Sequence, residues 1–143
     1  ENTEYRYQGK KVDAVLVDEA QFLSEAEIDT LSDLVDFYNI PVICYGLRTD
    51  FRNRLFPGSR RLMEIADVIE EVPTVCWCGK RAQCNTRYAN GEIVREGAQI
   101  MLGSNESYVA LCRKHYKEGK LWKEAGAENE TSTRRNCKIM EKE

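Results

Sequence analysis

The fold of this chain follows from the stretch "VDAVLVDEAQF", residues 12–22. Its first part, residues 12–17, is rich in valine and lies between a pair of lysines and two adjacent acids, Asp18 and Glu19. A short β-branched apolar run with charged ends is typical of a strand that is buried on both faces of a parallel sheet. We therefore expect a buried strand that ends in two carboxylates.

A helix and a second strand are expected directly after this strand. Ser24 and Glu27 have the spacing of a capping box, in which each side chain accepts a free backbone N–H of the first helical turn. Apolar residues then recur at helical spacing, at Ile28, Leu31, Leu34, Val35 and Tyr38. Pro41 ends this pattern, and "PVICYGL", residues 41–47, has the length and β-branched character of a strand.

Strand, helix and strand form a crossover unit, which joins two parallel strands in a right-handed sense. In α/β sheets of this kind, ligands bind at the carboxyl ends of the strands. Asp18 and Glu19 end the first strand and therefore lie at the edge where a ligand is expected.

The next residues are less regular. The segment "RTDFRNRLFPGSRR", residues 48–61, contains a Pro-Gly pair that predicts a turn. A short helix is predicted after it from the spacing of four apolar residues, Leu62, Ile65, Ala66 and Ile69. The segment "VIEEVPTV", residues 68–75, is expected to return to the sheet as a strand.

Composition limits the classes of function. The chain has 143 residues, of which 42% are hydrophobic and 31% charged, with a formal net charge of -3. This acidic balance gives no sign of a surface for nucleic acid. No apolar run approaches the roughly 20 residues of a membrane span, and the charged first residues do not resemble a signal peptide. We expect a cytoplasmic protein that binds neither nucleic acid nor a membrane.

Two pairs of potential metal ligands follow. Cys76 and Cys78 form C-x-C, and Cys112 and His115 form C-x-x-H. Three thiolates and one imidazole suit tetrahedral zinc, and four protein ligands make the ion structural rather than catalytic. Alternatively, the cysteines pack as small hydrophobic residues, or a neighbouring cysteine, Cys84, takes one ligand position.

The composition changes at Cys76, where cysteines, glycines and short alternating segments such as "YVALC" begin. This change predicts three parts. Residues 1–72 form a partial α/β domain, residues 73–118 form a small zinc-binding β module, and residues 119–143, which are highly charged, form a disordered tail.

The acidic pair has the Walker-B arrangement, in which the first acid holds magnesium and the second accepts a proton from an attacking hydroxyl. The alternative is that two acids simply end a strand and face water. No G-x-x-x-x-G-K-[ST] motif occurs in the 143 residues, so the β- and γ-phosphates of a nucleotide have no binding loop. We therefore expect the chain to begin partway through a larger protein and to be inactive alone.

Taken together, these motifs resemble the type II thymidine kinases, and specifically their bacterial branch. The resemblance is carried by four ordered segments: "VDAVLVDEAQFL", "IPVICYGLRTDF", "VCWCGKRA" and "NESYVALCRKHY". It implies the fold class α/β, with a partial P-loop NTPase-like (RecA-like) parallel sheet followed by a small zinc-ribbon-like β module. It also implies an enzyme that transfers the γ-phosphate of ATP to the 5′-hydroxyl of thymidine and yields dTMP.

The resemblance implies roles for individual residues. Glu19 matches the general base, and Asp18 and Gln21 match positions on the side of magnesium and ATP. Apolar or aromatic residues around the nucleoside are matched by Phe22, Leu47, Phe51 and Phe56. A lasso-like loop that contacts the base through its backbone is matched by Gln99, Ile100, Met101, Leu102 and Gly103, with Tyr108 nearby.

One position departs from the family pattern. The family commonly has two glycines before its Asn-Glu-Ser-Tyr segment, whereas this chain has "GSNESY" with Ser104 in the second place. If that position requires a positive φ, Ser104 carries strain of about 1 kcal/mol.

The implied partners are thymidine, Mg-ATP, structural zinc held by Cys76, Cys78, Cys112 and His115, and dTTP as a feedback inhibitor. The implied assembly is a homotetramer. Two alternatives remain at this point. One is a DExx-type ATPase or helicase fragment, from "DEAQ", and the other is a zinc-ribbon module that binds a macromolecule. The acidic balance and the zinc module after the α/β part disfavour both.

Overall fold

The structure, a computed structural model, describes residues 4–100 and 107–123. These residues form a mixed α/β fold with one parallel and two antiparallel sheets. In chain order the elements are β1 (Arg6–Tyr7), β2 (Lys10–Lys11), β3 (Val15–Val17), a 3-10 turn (Ala20–Phe22), α1 (Glu25–Tyr38), β4 (Val42–Cys44), α2 (Pro57–Ile65), β5 (Cys84–Ala89), β6 (Glu92–Ile93), β7 (Ser107–Leu111) and α3 (Arg113–Glu118). None of the helices in these ranges has the length and apolar composition that crossing a membrane requires.

The predicted strand-helix-strand unit is confirmed by β3, α1 and β4. The two strands are parallel, with Val15 opposite Val42 and Val17 opposite Cys44. The capping box is also present: Ser24 Oγ accepts the backbone N–H of Glu27 at 3.2 Å, and the Glu27 carboxylate accepts the backbone N–H of Ser24 at 2.8 Å. Both bonds satisfy N–H groups that the helix itself cannot pair.

The prediction that β3 is buried on both faces is wrong for the described part of the chain. Side chains alternate along a strand, and α1 packs against β4 on one face of the pair. On the other face lie Leu16, which is 68% exposed, and its partner Ile43, which is 48% exposed. Among the described residues, this pair of strands is therefore covered on the face that contacts α1 and exposed on the other.

The predicted turn at Pro57-Gly58 is also wrong, because α2 begins at Pro57. Proline suits the first helical position, where its missing N–H is not needed and its φ is already helical. Ile69 was predicted to lie in this helix, but the helix ends at Ile65.

Gly58 determines how closely α2 approaches the 3-10 turn. A Cβ at this position would lie 2.5 Å from the Ala20 carbonyl oxygen and 2.7 Å from that of Leu23. Carbon atoms do not approach backbone oxygen that closely without a shift of the backbone. Only glycine therefore permits α2 to pack on the residues that follow the acidic pair.

The predicted strand at residues 68–75 is absent from the described structure. Instead, Val75 pairs with Arg81 in an isolated bridge, and the Thr74 carbonyl accepts the backbone N–H of Ala82 at 2.7 Å. Pro73, which precedes these residues, has no N–H to give to a sheet ladder. Val68 and Val72 are exposed.

A three-stranded antiparallel sheet in the order β6-β5-β7 lies within the residues for which a β-rich module is predicted. Five residue pairs join β5 to β7, from Cys84 opposite Leu111 to Tyr88 opposite Ser107. An Asn90-Gly91 turn, with φ of 52° and 77°, connects β5 to β6, as expected for a two-residue hairpin. The buried core of this module comprises Cys76, Ala82, Cys84, Leu111, Cys112, Tyr116 and Leu121.

The disordered tail was predicted to start at residue 119, but Leu121 and Trp122 are packed against the rest of the protein. Leu121 is buried in the core of the β module, and the Trp122 ring contacts the edge of Tyr88 with 5.5 Å between centroids. The packed structure therefore continues past Glu118. Residues 124–143 lie outside the described residues.

The close packing at Gly58 yields a test of this fold. Replacing Gly58→Ala should lower the free energy of unfolding by about 2 kcal/mol, because a methyl group must displace backbone carbonyls of the 3-10 turn. Thermal or urea unfolding measures the loss. The control is Arg60→Ala in the same helix, whose side chain is exposed and whose replacement suits a helix. Equal stability of the two variants would contradict this account of the packing.

Candidate functional site

The acidic pair lies directly after β3, at the carboxyl edge of the parallel strands. Glu19 has φ 53° and ψ 38°, the left-handed conformation, which is uncommon for residues other than glycine. Asp18 supports it, since its Oδ1 accepts the backbone N–H of Glu19 at 2.9 Å. This local bend turns the chain from the strand into the 3-10 turn and leaves both acidic side chains exposed.

Gln21 fixes the Glu19 carboxylate. Its side chain is buried, donates from Nε2 to Glu19 Oε2, and accepts the backbone N–H of Leu47 at 3.1 Å through Oε1. A Cβ at Gly46 would collide with this Oε1 atom. Gln21 was expected on the side of magnesium and ATP, but its amide is engaged within the protein, between Glu19 and the loop after β4.

Backbone bonds hold the ends of the two parallel strands together. The Tyr45 N–H donates to the Val17 carbonyl at 2.8 Å, and the Ala20 N–H donates to the Tyr45 carbonyl at 2.9 Å. The hydroxyl of Ser59, on α2, donates to the Leu47 carbonyl at 2.5 Å. Hydrogen bonds from residues in or next to β3, β4 and α2 therefore fix the backbone around the acidic pair.

Asp50 organises the loop that follows. Its buried carboxylate accepts the backbone N–H groups of Arg52 at 2.8 Å and Arg54 at 3.0 Å, together with the Arg52 guanidinium at 3.0 Å. The Gln99 side chain donates to the same carboxylate at 3.1 Å. Burial would raise the pKa of Asp50, but the bonds from Arg54, Arg52 and Gln99 outweigh it and lower the pKa below its ordinary value.

Asp50 was not predicted from the sequence, although a signal was present. An Asp side chain that bonds backbone N–H groups two and four residues later forms a turn of its own, and "TDFRNR" has the polar composition of such a turn. What the sequence does not contain is the partner, Gln99, which lies 49 residues further along the chain. This bond joins the α/β part to the β module.

Arg87 is a second residue that the sequence analysis missed. It lies on β5 with 1% of its surface exposed, and its guanidinium stacks on the Phe51 ring at 3.8 Å from the centroid. Its nitrogen atoms donate to Tyr108 Oη, the Ala98 carbonyl and the Gln99 carbonyl. A buried guanidinium must satisfy its N–H groups inside the protein, and here it does so on residues around the predicted lasso.

The predicted apolar walls fall into two groups. Phe22, Leu47, Ile100 and Tyr108 each expose about half of their surface or slightly less, and a ligand can reach them. Phe51 and Phe56 are buried, and Phe56 meets Phe22 edge to face, with 5.6 Å between centroids. The predicted residues Met101, Leu102 and Gly103, and the variant position Ser104, lie outside the described residues.

A short run of residues after β4 links the acidic pair to the bond between Asp50 and Gln99. The Leu47 N–H bonds Gln21, which holds Glu19, whereas Asp50, three residues later, bonds Gln99. Consecutive Cα atoms are about 3.8 Å apart, so Leu47 and Asp50 are separated by at most about 11 Å. The same short segment therefore bonds both Gln21, which holds Glu19, and Gln99, at the start of the predicted lasso.

Thr86, also on β5, carries a buried hydroxyl. Its Oγ1 has no hydrogen-bond partner among the residues that the structure describes. An unpaired buried hydroxyl costs roughly 1–3 kcal/mol, so such a group usually has a water or ligand partner. Nothing in the sequence distinguishes this threonine from others.

The four predicted metal ligands come together. Their ligand atoms all lie within 4.8 Å of one another, in a group formed by Cys76, Cys78, Cys112 and His115. Cys76 Sγ lies 3.4 Å from His115 Nδ1, and Cys78 Sγ lies 3.9 Å from Cys112 Sγ. For tetrahedral zinc with bonds of about 2.1–2.3 Å, ligand atoms are about 3.4–3.8 Å apart, so the cluster fits such an ion.

Local structure explains why these side chains meet. Gly79 has φ 82°, and its N–H donates to the Cys76 carbonyl at 2.9 Å, which closes a tight turn around the first pair. Cys112 caps α3 and His115 lies on its first turn, which brings the second pair to one side of that helix. Trp77 stacks on the His115 ring with 4.1 Å between centroids. Cys84 does not belong to the cluster.

The electrostatics of the cluster favour a cation. Burial raises the pKa of the Cys112 thiol to about 11, and the nearby Cys76 adds to this rise. Burial lowers the pKa of His115. Three thiols this close ionise together only when a positive charge compensates them, and a bound metal ion supplies that charge. The donor set therefore fits a metal such as zinc.

A cavity elsewhere does not coincide with these residues. A cavity of about 560 Å³ lies beside α2 and is lined by Glu25, Leu55, Pro57, Arg60, Arg61 and Glu64. Most of these side chains are charged, and none belongs to the acidic pair or the metal cluster.

Comparison with known proteins gives one consistent result. Residues 1–116 match the family described as "Thymidine kinase". The chain is 54% identical over 110 residues to a thymidine kinase of Haemophilus influenzae, 50% identical over 121 residues to one of Legionella pneumophila, and 51% identical over 112 residues to one of Pasteurella multocida. These alignments cover 76%, 84% and 78% of the chain. The chain spans 57% to 58% of the length of these relatives.

The buried carboxylate of Asp50 predicts a pH-dependent contribution to stability. Asp50→Asn should lower the free energy of unfolding at pH 7 by about 2 kcal/mol, because an amide presents N–H groups to donors. A lowered pKa in the folded state stabilises the fold above the ordinary pKa of Asp, about 3.9, and this contribution is lost as the pH falls through the folded-state pKa. The difference between the two proteins should therefore shrink below about pH 4.

Urea unfolding at a series of pH values measures this difference. Asp67→Asn, a change of the same kind at an exposed position, serves as the control. A stability difference for Asp50→Asn that stays constant down to pH 2 would contradict the role given to the charge.

Proposed function

Because the chain belongs to the thymidine kinase family, we propose that it forms the nucleoside-binding part of an enzyme that transfers the γ-phosphate of ATP to the 5′-hydroxyl of thymidine, giving dTMP. The observation that carries the proposal is the position of Glu19, which is fixed by Gln21 at the carboxyl edge of two parallel strands. Membership of this family argues against the two alternatives, a DExx-type ATPase and a zinc-ribbon binding module.

Glu19 is the proposed general base. Its carboxylate is exposed to a ligand on one side and held by the Gln21 amide on the other, so it can accept the proton of an attacking hydroxyl in a defined orientation. Gln21 is thus a positioning residue. Asp18, next to it, is the proposed acid on the magnesium side, where a carboxylate binds the ion directly or through water.

ATP needs further groups to hold its phosphates. The 143 residues contain no G-x-x-x-x-G-K-[ST] motif, and the relatives are longer than this chain. We propose that the parallel pair of β3 and β4 belongs to a P-loop NTPase-like (RecA-like) sheet. On this proposal, the described residues supply the base and the nucleoside site, and they do not bind the triphosphate alone.

The nucleoside site is proposed between the loop after β4 and three described residues, Gln99, Ile100 and Tyr108. Its reachable apolar walls are Phe22, Leu47, Ile100 and Tyr108, which suit a flat base. Gln99 ties the start of the lasso to Asp50.

Structural zinc is the proposed occupant of the four-residue cluster. The protein supplies all four ligands, which leaves no open position for chemistry, so the ion acts as a fastener of a zinc-ribbon-like module. It would join the turn around Gly79 to α3, and both flank the strands that carry Thr86, Arg87 and Tyr108. We further propose a homotetrameric cytoplasmic enzyme that dTTP inhibits, with the division at residue 72 between its α/β and zinc-binding domains.

The proposed base is tested in the full-length enzyme by Glu19→Gln. This change keeps the size of the side chain but removes its basicity, so kcat should fall by about 10²–10⁴-fold. Thymidine should still raise the melting temperature, because the nucleoside contacts are made elsewhere. Glu70→Gln, an exposed position, is the matched control. Near-normal turnover in Glu19→Gln would refute the assignment of the base, and lack of any thymidine phosphorylation by the parent would refute the proposed function.

The proposed zinc site is tested by Cys112→Ser, with Cys84→Ser as its matched control. Both cysteines are buried in the same core, but only Cys112 belongs to the cluster. Elemental analysis should find about one zinc per chain in the parent protein and in Cys84→Ser, and much less in Cys112→Ser. Absence of zinc from the parent protein, or full retention of zinc in Cys112→Ser, would contradict the site.

A further inference from the structure

Trp77 lies between two of the four cluster residues, Cys76 and Cys78, in a turn that backbone hydrogen bonds close. The Cys76 N–H donates to the Lys80 carbonyl at 2.8 Å, and the Gly79 N–H donates to the Cys76 carbonyl at 2.9 Å. These bonds fix the backbone around Trp77, so its indole projects from a rigid turn. The proposed zinc site gives this side chain no role.

The indole covers one face of the His115 ring. The two rings are nearly parallel, with 10° between their planes and 4.1 Å between their centroids. His115 is buried, whereas Trp77 is 38% exposed, so the indole shields that face of the imidazole from water. An imidazole that turned out of this plane would push its edge into the indole. The stack therefore restricts His115 to the plane that it occupies.

The plane of the His115 ring brings one of its nitrogen atoms to the thiols. His115 Nδ1 lies 3.4 Å from Cys76 Sγ, and the ligand atoms of the whole cluster lie within 4.8 Å of one another. A ring nitrogen binds a metal ion in the plane of the imidazole, because its lone pair lies in that plane. A contact that fixes the plane of His115 therefore also fixes the direction in which His115 can bind an ion.

The indole nitrogen ties Trp77 to the end of α3. Its Nε1–H donates to the Lys120 carbonyl at 3.1 Å, and the Lys120 N–H donates in turn to the His115 carbonyl at 3.0 Å. Trp77 and Lys120 are 43 residues apart, so this bond joins the turn that carries the first ligand pair to the helix that carries His115. One side chain thus holds the ring of His115 directly and its backbone through Lys120.

We propose that Trp77 is a positioning residue for the metal site: it fixes the plane of the His115 imidazole by stacking, and it fixes the end of α3 by its bond to Lys120. This inference rests on the proposed zinc site. It requires no contact between the indole and the ion, because a residue that orients a ligand changes metal affinity without binding the metal itself. The effect of Trp77 therefore appears in the affinity for zinc.

The test is Trp77→Leu in the full-length enzyme, with zinc affinity measured by competition with a chelator. The dissociation constant for zinc should rise about 10–100-fold, as expected when a residue that orients a metal ligand is replaced. Leucine is also apolar, but it has no flat ring to stack on the imidazole and no side-chain N–H for the Lys120 carbonyl.

Trp122→Leu is the matched control, because it makes the same change in the same module. Trp122 packs on the edge of Tyr88, which does not belong to the cluster. Its replacement should leave the dissociation constant for zinc within about twofold of the parent value, as expected for independent sites.

A second variant, Trp77→Phe, separates the two contacts and keeps the test decisive if Trp77→Leu folds poorly. Phenylalanine keeps a flat ring for His115 but has no N–H for the Lys120 carbonyl. The dissociation constant for zinc should therefore rise about threefold, the effect of losing one hydrogen bond.

A spectroscopic measurement reports the geometry of the ligands directly. Co²⁺ in place of zinc gives visible absorption bands that depend on the arrangement of its ligands. These bands should shift or weaken in Trp77→Leu, because the imidazole is no longer held in one plane. They should keep the parent form in Trp77→Phe and in Trp122→Leu. Parent-like bands in Trp77→Leu would overturn the inference.

Urea unfolding of the zinc-bound proteins separates positioning from a general loss of stability. Trp77→Leu and Trp122→Leu should both be less stable than the parent, since each removes a packed indole, but only Trp77→Leu should lose affinity for zinc. Equal losses of zinc affinity in the two variants would overturn the inference, because affinity would then only follow stability. Unchanged zinc affinity in Trp77→Leu, or in Trp77→Phe where the first variant does not fold, would overturn it equally.

The outcomes also separate this inference from the proposed function. A parent enzyme that phosphorylates thymidine and binds zinc, together with full zinc affinity in Trp77→Leu, overturns only the role of Trp77. A parent enzyme that binds no zinc overturns the metal site on which the inference rests. A parent enzyme that binds zinc but does not phosphorylate thymidine overturns the kinase function.

Discussion

The buried carboxylate of Asp50 is the interaction on which the rest of the site depends. A buried charge is tolerated only when donors surround it, and here backbone N–H groups of Arg52 and Arg54 and the Gln99 side chain do so. Because Gln99 lies 49 residues away, satisfying this charge also docks the β module onto the α/β part. Phe51, the next residue, is thereby placed under the Arg87 guanidinium.

Close approach of backbone segments is the second constraint. Gly46 makes room for the Gln21 amide, and Gly58 makes room for α2 against the 3-10 turn. Near these two contacts, Glu19 adopts a left-handed conformation, which costs about 1–2 kcal/mol for a residue with a Cβ. Such strain persists only where surrounding contacts hold it. Here the Gln21 amide donates to the Glu19 carboxylate, and the Asp18 carboxylate accepts the Glu19 backbone N–H. The acidic pair is therefore oriented before any ligand binds.

Much of the candidate site was accessible to sequence reasoning, but unevenly. The capping box, the parallel crossover and the grouping of the four ligand residues rest on local spacing, and all three are found. The turn at Pro57 and the strand at residues 68–75 were wrong, because proline serves equally well at a helix start, and apolar runs do not form strands without a neighbour to pair with. Asp50 and Arg87 were missed because each is defined by its distant partners.

By itself, the sequence determined the family, the acidic pair at the end of a strand and the set of potential metal ligands, since each depends on residue types at short, fixed separations. Only the tertiary structure decided that Gln21 faces Glu19, that Phe56 packs against Phe22, and that Arg87 stacks on Phe51 and bonds Ala98, Gln99 and Tyr108. The physical reason is burial. Which polar groups are removed from water, and which partners then satisfy them, is settled by packing between residues that are far apart in the chain.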